Sequence, residues 1–488
     1  MNDINNNQCI AEPFYCPADG MTVDQQPQII VNAQPIDKGN DPSPSITYPI
    51  EERGGGRGKD WGGFLLGCSS YEAADRPSFD NPEIELITKG YNETGANQGS
   101  WSPFINYDGR FTVFTSRADN LVKGDENGHL GIFVHDRETG KTEHIDKAYD
   151  GSEANGDSEH PSISDDGRFV AYSSFASNLV KGDNNGNVDI FLYDRDEKKT
   201  SLISKGADGE ANANSHLARI SADGRYITFN SDATNIVPYG VKGKTDVFVY
   251  DRQTKNISRV NLTDEGFEVN GGCGAPSISG DGAFIAFGSQ ATDLVPGDNN
   301  GLSDVFLRDM AGGAVYMLST TGKGNVSNGN SGWPIVSAGG KAAVFQSTAN
   351  NLAQDNFDAK HEDEWKVFVV DTESKKFKKC SGYVLHSGYM ASAGIYGPLF
   401  SISADGMFVS LATYLSLKDG DNDELFDIYV CNTENGDLAR VTTKKVEESS
   451  SKNPSISGDG ESIAFEEMTT GYPYPIDIFV AKNPLFEK

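Results

Sequence analysis

The chain has 488 residues, 37% of them hydrophobic and 54 of them glycine, ordinary globular proportions that exclude wholesale disorder and a membrane bundle. With 41 basic against 71 acidic residues the formal net charge is −30, a field that repels phosphate backbones and anionic lipid heads, so no nucleic-acid partner is expected and cations are favoured. No apolar run reaches the roughly 18 residues of a transmembrane helix, and residues 1–30 lack the basic and apolar regions of a secretory signal, so neither a membrane span nor an export signal is expected.

Residues 1–82 are rich in Asn, Gln, Pro and Gly and show neither strand nor helix periodicity, which predicts an extended arm or linker. Leu65-Leu66-Gly67-Cys68 superficially resembles a lipoprotein cleavage box, but too few apolar residues precede it, and it reads as glycine-rich linker. The six cysteines are Cys9, Cys16, Cys68, Cys273, Cys380 and Cys431. They form no Cys-x-x-Cys pair and have no His-x-x-x-His partner, so no zinc site is expected. Cys9 and Cys16 are close enough for a local disulfide in an oxidising compartment, and the spacing leaves the redox state of all six open.

From Glu83 the texture changes to short β-branched and aromatic runs punctuated by Gly, Asp and Asn, the pattern of an all-β fold. A tetrapeptide of the form Ser-x-Asp-Gly recurs, with its final glycine at Gly109, Gly167, Gly224, Gly282, Gly340, Gly406 and Gly460, at spacings of 58, 57, 58, 58, 66 and 54. The fifth repeat therefore carries an insertion. In the second repeat four strands are predicted: a at 161–164, b at 169–173, c at 189–193 and d at 200–204. Seven such four-stranded units predict a seven-bladed β-propeller over 83–488. The last repeat stops after its strand c, whereas Glu83 to Lys89 has strand d text ahead of the first strand a. The N-terminal strand is therefore predicted to complete blade 7 and leave no open sheet edge.

The run Pro161 to Ser174, followed by Asn178 to Gly186 and Asp189 to Arg195, resembles the TolB-type, WD-like propeller repeat of bacterial proteins. The resemblance covers about 83–488. It implies the fold and, for function, little beyond protein or ligand binding.

In an a-b-c-d meander the tight a–b and c–d turns share one face, and the long b–c and d–a connections share the other, where function concentrates. The b–c loops carry Asp183, Asn185 and Asp189 in blade 2, Asp298, Asn300 and Asp304 in blade 4, and Asp421, Asp423 and Asp427 in blade 6. Oxygen ligands at positions 1, 3 and 7 of a glycine-bearing loop suit structural Ca²⁺. The same residues also cap turns, and both readings stand at this point. Blade 1 keeps Asp125 and Asn127 but has Gly131 at the last position. The d–a loops repeat Asn-x-x-Ser/Cys at Asn97, Asn155, Asn212, Asn270 and Asn328, read as a latch from each loop to its neighbour.

Residues just before strand a, among them Trp101, Glu159, His160, His216 and Trp333, are predicted to rim the channel. No G-x-S-x-G elbow or H-E-x-x-H motif occurs, and Gly243-Lys244-Thr245 lacks the first glycine of a phosphate loop. The leading expectation is a non-enzymatic binding or structural module whose long-loop face engages a protein or glycan. In it the arm of residues 1–82 contacts a host assembly, such as a virion or injection-type particle, or a second copy. The alternative is a hydrolase or lyase working at Glu159, His160 and His216.

Overall fold

The computed structural model describes residues 84–486, apart from 92–93, 126–127, 207–208, 239–243, 353–360, 362, 387–397, 418–424, 443–448 and 470–475. The arm expected over 1–82 and the acidic pair Asp421 and Asp423 lie outside the described residues. Among the described residues there is no α-helix, and no helix is long and apolar enough to cross a membrane. Seven four-stranded antiparallel sheets follow one another, each ordered a-b-c-d, and form the blades of a β-propeller. In blade 2 the strands are a, Ser158–Ile163, b, Phe169–Ser174, c, Asp189–Asp194, and d, Lys199–Leu202. A two-stranded hairpin, Lys205–Gly206 with Gly209–Glu210, decorates the connection to blade 3.

Strands b and c are buried on both sides because each blade is sandwiched between two others, which is why their sequence is a continuous apolar run rather than an alternating one. Cross-strand aromatic pairs fill this space in blade after blade. Phe114 stacks on Phe133 at 5.8 Å, Tyr172 on Phe191 at 6.0 Å and Phe229 on Phe248 at 5.7 Å.

The recurring tetrapeptide is an interface device as well as a turn. Ser164 Oγ accepts the Phe169 N–H at 3.0 Å, and Asp166 Oδ1 accepts the Arg168 N–H at 2.9 Å, so the turn satisfies its own donors. Gly167 has φ +71°, and a Cβ there would stand 2.2 Å from the Phe111 ring of blade 1. The glycine is thus required by backbone conformation and by blade packing together. Arg195, from the c–d turn of blade 2, donates to Gly167 O at 2.7 Å and lies 4.5 Å from the centre of the Phe111 ring. Main-chain bonds link the turns: Asp165 N–H to Ala222 O, Ala222 N–H to Gly280 O and Gly280 N–H to Ala338 O, each at 2.9 Å.

Closure follows the sequence expectation. The strand Ile84–Leu86 pairs antiparallel with strand c of blade 7, Asp477–Lys482, placing Ile84 opposite Ala481 and Leu86 opposite Phe479. Thr88 Oγ1 donates to Asp477 Oδ1 at 2.6 Å, and Glu85 accepts from Arg137 Nε of blade 1 at 2.9 Å. Ile84 lies beside the end of strand c, so the chain enters the ring from the short-turn face, opposite the long loops.

A disulfide joins Cys380 of blade 5 to Cys431 in strand c of blade 6, with a Cα–Cα distance of 6.0 Å. It ties two adjacent blades together and answers the redox question for that pair. Cys273 is free and buried, and its thiol donates to Ser289 Oγ at 3.1 Å.

Candidate functional site

Strand a lines the central channel, and it starts earlier than its sequence pattern indicates. Ser102, His160, Leu217, Ala275, Trp333 and Asn453 all adopt φ between +49° and +56°, each within strand a at a register shift against strand b. Proline follows in five of these six places, and its missing N–H suits a position where the ladder is broken. The residues expected to precede strand a are therefore inside it. The bulged residues Ser102, His160 and Asn453 face the lumen, and Trp101, Glu159 and Lys452 beside them do not line it.

The lumen holds a cavity of about 190 Å³ lined by both apolar and polar side chains. Its apolar lining includes a ring of Ile105 and its counterparts, isoleucine in every blade but the fifth, which has Val336. Into this space projects Arg219, at a position held elsewhere by Phe, Ser or Ile. Its guanidinium donates to Ala218 O at 3.1 Å and lies 5.9 Å from the Phe104 ring, and no carboxylate pairs with it among the described residues. Water in the lumen reaches it, yet protein surrounds it, and burial pushes its pKa down to about 10.

His160 shares this space. Burial first, then the positive charge of Arg219 and the neighbouring His216, pushes its pKa down to about 4, so it is neutral at ordinary pH. Burial also lowers His216 and raises the Glu159 carboxyl. Glu159 Oε2 and His160 Nδ1 stand 3.7 Å apart, beyond hydrogen-bond reach. On the blade 7 side, buried Glu466 accepts from the Ser102 N–H at 2.7 Å and from Asn453 Nδ2 at 2.8 Å, holding two bulges with one carboxylate. Sequence reasoning missed both Arg219 and Glu466. The signal for each is a charged side chain in a repeat column that is otherwise neutral.

On the long-loop face the structure brings the predicted loop residues together in blades 2 and 4. Burial first, then the neighbouring Asp189, pushes Asp183 up to about 6, and Asp298 is raised likewise by burial and Asp304. Asn185 Nδ2 donates to Asp189 Oδ2 at 2.7 Å, and Ser204 Oγ donates to Asp189 Oδ1 at 2.5 Å. Blade 4 repeats this with Asn300 on Asp304 at 2.8 Å, while Asp298 Oδ1 is buried without a hydrogen bond. In blade 6, Asp427 accepts from Arg440 and from Thr442 Oγ1 at 2.9 Å.

The Asn-x-x-Ser repeat is a latch within a blade rather than to the neighbour. Asn155 Nδ2 donates to Ser177 Oγ at 2.9 Å, and Asn178 Nδ2 donates back to Glu153 O at 2.9 Å, tying the loop before strand a to the loop after strand b of the same blade.

No protein-family model and no curated protein sequence matches the chain. Solved structures resemble it in fold. TolB from Acinetobacter baumannii is 19% identical over 59% of this chain and 57% of that one, with a TM-score of 0.34. This chain thus spans little more than half of the TolB chain. An oligogalacturonate lyase in complex with manganese is 14% identical over 82% of this chain and 96% of that one, with a TM-score of 0.48. The β-propeller domain of the Trilobed protease from Pyrococcus furiosus is 14% identical over 81% and 96%, also at 0.48. These are likenesses of fold alone; the strand pairing by itself shows a seven-bladed β-propeller.

Proposed function

We propose that this protein is a non-enzymatic binding module that docks a protein or glycan partner on its long-loop face and receives one anionic group of that partner at Arg219. The observation that carries this reading is a guanidinium projecting into the channel with no carboxylate paired to it among the described residues. A ligand carboxylate matches such a guanidinium fork with two parallel hydrogen bonds. The net charge of −30 repels polyanions, so a partner with a single acidic group, such as a uronic acid or a peptide C-terminus, fits better than a highly charged one. Arrays of acidic glycans and peptides against their amide counterparts test this. Acid-dependent binding is expected in the intact chain and not in Arg219→Gln, and equal binding by the two proteins sinks the reading.

Structural Ca²⁺ in the loops of blades 2, 4 and 6 belongs to the same proposal, supported in blades 2 and 4 by paired, buried carboxylates. Residues 1–82 are assigned the anchoring role, toward a host assembly or a second copy. The entry of Ile84 from the face opposite the long loops supports that assignment.

A hydrolase or lyase at the mouth is the second reading. What favours it is a carboxyl raised by burial at Glu159 next to a neutral imidazole at His160, a poise suited to acid–base work. Turnover of any ester or glycan substrate that disappears in His160→Ala would establish it.

A further inference from the structure

Blade 1 departs from the other blades at one place, and the departure assembles a different chemistry. Where the other blades begin strand c with Asp189, Asp246, Asp304, Lys366, Asp427 and Asp477, blade 1 has Gly131. The space is taken by His144, the last residue of strand d, Lys141–His144: a Cβ on Gly131 would stand 2.6 Å from His144 Nε2. The imidazole is stacked on Phe133 at 4.5 Å, which fixes its plane, and its side chain is 1% exposed. The carboxylate missing from strand c reappears as Asp146, whose Oδ1 accepts the Ile132 N–H at 2.8 Å. Ser204 and Asn261 serve that N–H position in blades 2 and 3.

His144 is buried among acids, and its Nδ1 has no hydrogen-bond partner among the described residues. Nε2 stands 2.9 Å from Asp146 Oδ1, a contact that orients the ring. Nδ1 faces Asp125 Oδ2 at 3.5 Å and Glu153 Oε2 at 3.8 Å, and the three groups can bring one donor atom each within 4.8 Å of one another. Two atoms bound tetrahedrally to one ion at about 2.0–2.2 Å are separated by about 3.3–3.6 Å, so these are the spacings of ligands around a shared centre rather than of hydrogen-bonded neighbours. Lys147 donates to the other oxygen, Glu153 Oε1, and leaves Oε2 turned toward the imidazole.

The other blades show how this fold neutralises buried acids. Blades 3 and 6 supply an arginine at the place of His144, Arg259 beside Asp246 and Arg440 beside Asp427. Blades 2 and 4 supply hydroxyl and amide donors. Those donors serve Asp189 and Asp304, whereas Asp125, like its counterpart Asp298, receives no side-chain hydrogen bond among the described residues, and a bound dication would neutralise it. We propose that Asp125, His144 and Glu153 bind one divalent first-row transition ion of the zinc class, with Asp146 orienting the imidazole and a fourth position open on the Glu153 side. An imidazole with two carboxylates selects such an ion over Ca²⁺ or Mg²⁺, which take oxygen ligands. Asp146 stands where the carboxylate of a carboxylate–histidine–metal arrangement stands.

Calorimetric titration of the full chain, stripped with EDTA, with Zn²⁺ alone is the test. One equivalent is expected to bind at a site lost in His144→Ala. Glu153→Gln, at a side chain 28% exposed, keeps the fold even if His144→Ala does not, and it is expected to weaken zinc at least about tenfold. Co²⁺ in place of zinc should give the visible absorption of a tetrahedral centre in the intact chain and not in Glu153→Gln. No zinc binding by the intact chain, equal zinc affinity in Glu153→Gln, or displacement of zinc by equimolar calcium overturns the proposal.

Discussion

The side-chain amide of Asn106 donates to the main-chain carbonyl of Asp165 across 2.9 Å, from blade 1 to blade 2. Everywhere else in the ring this inter-blade step is made by a main-chain N–H. Beyond the three bonds among blades 2 to 5, Gly339 donates to Ala404 O at 3.3 Å, Ala404 to Gly458 O at 2.9 Å and Asp459 to Tyr107 O at 2.9 Å. The bond from Asn106 is the remaining step, and it closes the belt around the axis. It explains why blade 1 spells its tetrapeptide with asparagine where five of the others have an aspartate-containing Ser-x-Asp-Gly.

Asn106→Ala leaves the Phe111 N–H, which Asn106 Oδ1 accepts at 2.8 Å, unpaired together with the Asp165 carbonyl. The expected loss is about 1–3 kcal/mol in denaturant unfolding. Asn106→Ser keeps a turn acceptor but cannot reach blade 2, and should fall between. Identical midpoints for all three proteins would show that the belt does not need this bond.

Two carboxyl classes act oppositely on stability as pH changes. Asp136 is held down to about 2, first by its hydrogen bonds from Arg110, so its folded pKa lies below the unfolded value. Its contribution is present above about pH 4 and lost as pH falls toward 2. Asp165 is pushed up to about 6 by burial, so its contribution is present below about pH 4 and lost as pH rises through 6. Asp165→Asn should flatten the decline in melting temperature between pH 4 and 7, and Arg110→Met should move acid unfolding to higher pH. Unaltered profiles in both variants would refute the assignment.

Reducing Cys380–Cys431, or replacing Cys431 by Ser, opens a cross-link between residues 51 apart in sequence, worth up to about 4 kcal/mol of chain entropy. Melting with and without reductant measures it. No shift would mean that the contact between blades 5 and 6 suffices without the bond.

Calcium at millimolar concentration should raise the melting temperature of chelated protein, and the rise should shrink in Asp183→Ala and in Asp298→Ala. Indifference to calcium in the intact chain leaves the loop acids as turn caps.

Removing residues 1–78 should yield a folded propeller that no longer joins its assembly. Removing 1–89 also takes away the Ile84–Leu86 strand and exposes the edge of Asp477–Lys482, so association or aggregation is expected. Size-exclusion chromatography separates these outcomes, and a monomeric, equally stable 1–89 deletion contradicts the closure argument.

Blade count and closure were legible because each rests on something written many times over. The Asp-Gly turn must recur wherever Phe111, Phe169 or their counterparts press on a glycine, and the strand d text of 83–89 matches residues 200–205. The bulge in strand a was not legible. A residue such as His160 or Trp333 at positive φ contradicts its own local preference, and only the proline after it hints at a broken ladder. Arg219 and His144 were missed for a different reason. Arg219 is a single departure in its column of repeats, and His144 stands in a column that varies from blade to blade, so each shows only when blades are compared position by position. A metal site of the kind proposed in blade 1, built from histidine and carboxylates, leaves no spacing signature among the cysteines.

The bulge has a consequence for how such a protein changes over generations. Six blades hold residues as unlike as serine, histidine, leucine, alanine, tryptophan and asparagine in one left-handed backbone pose, so that pose is enforced by the surrounding ladder and not by the side chain it displays. These places therefore act as interchangeable sockets. A substitution in one rewrites the wall of the lumen without altering the sheet behind it, and ligand preference is free to drift while the ring stays intact.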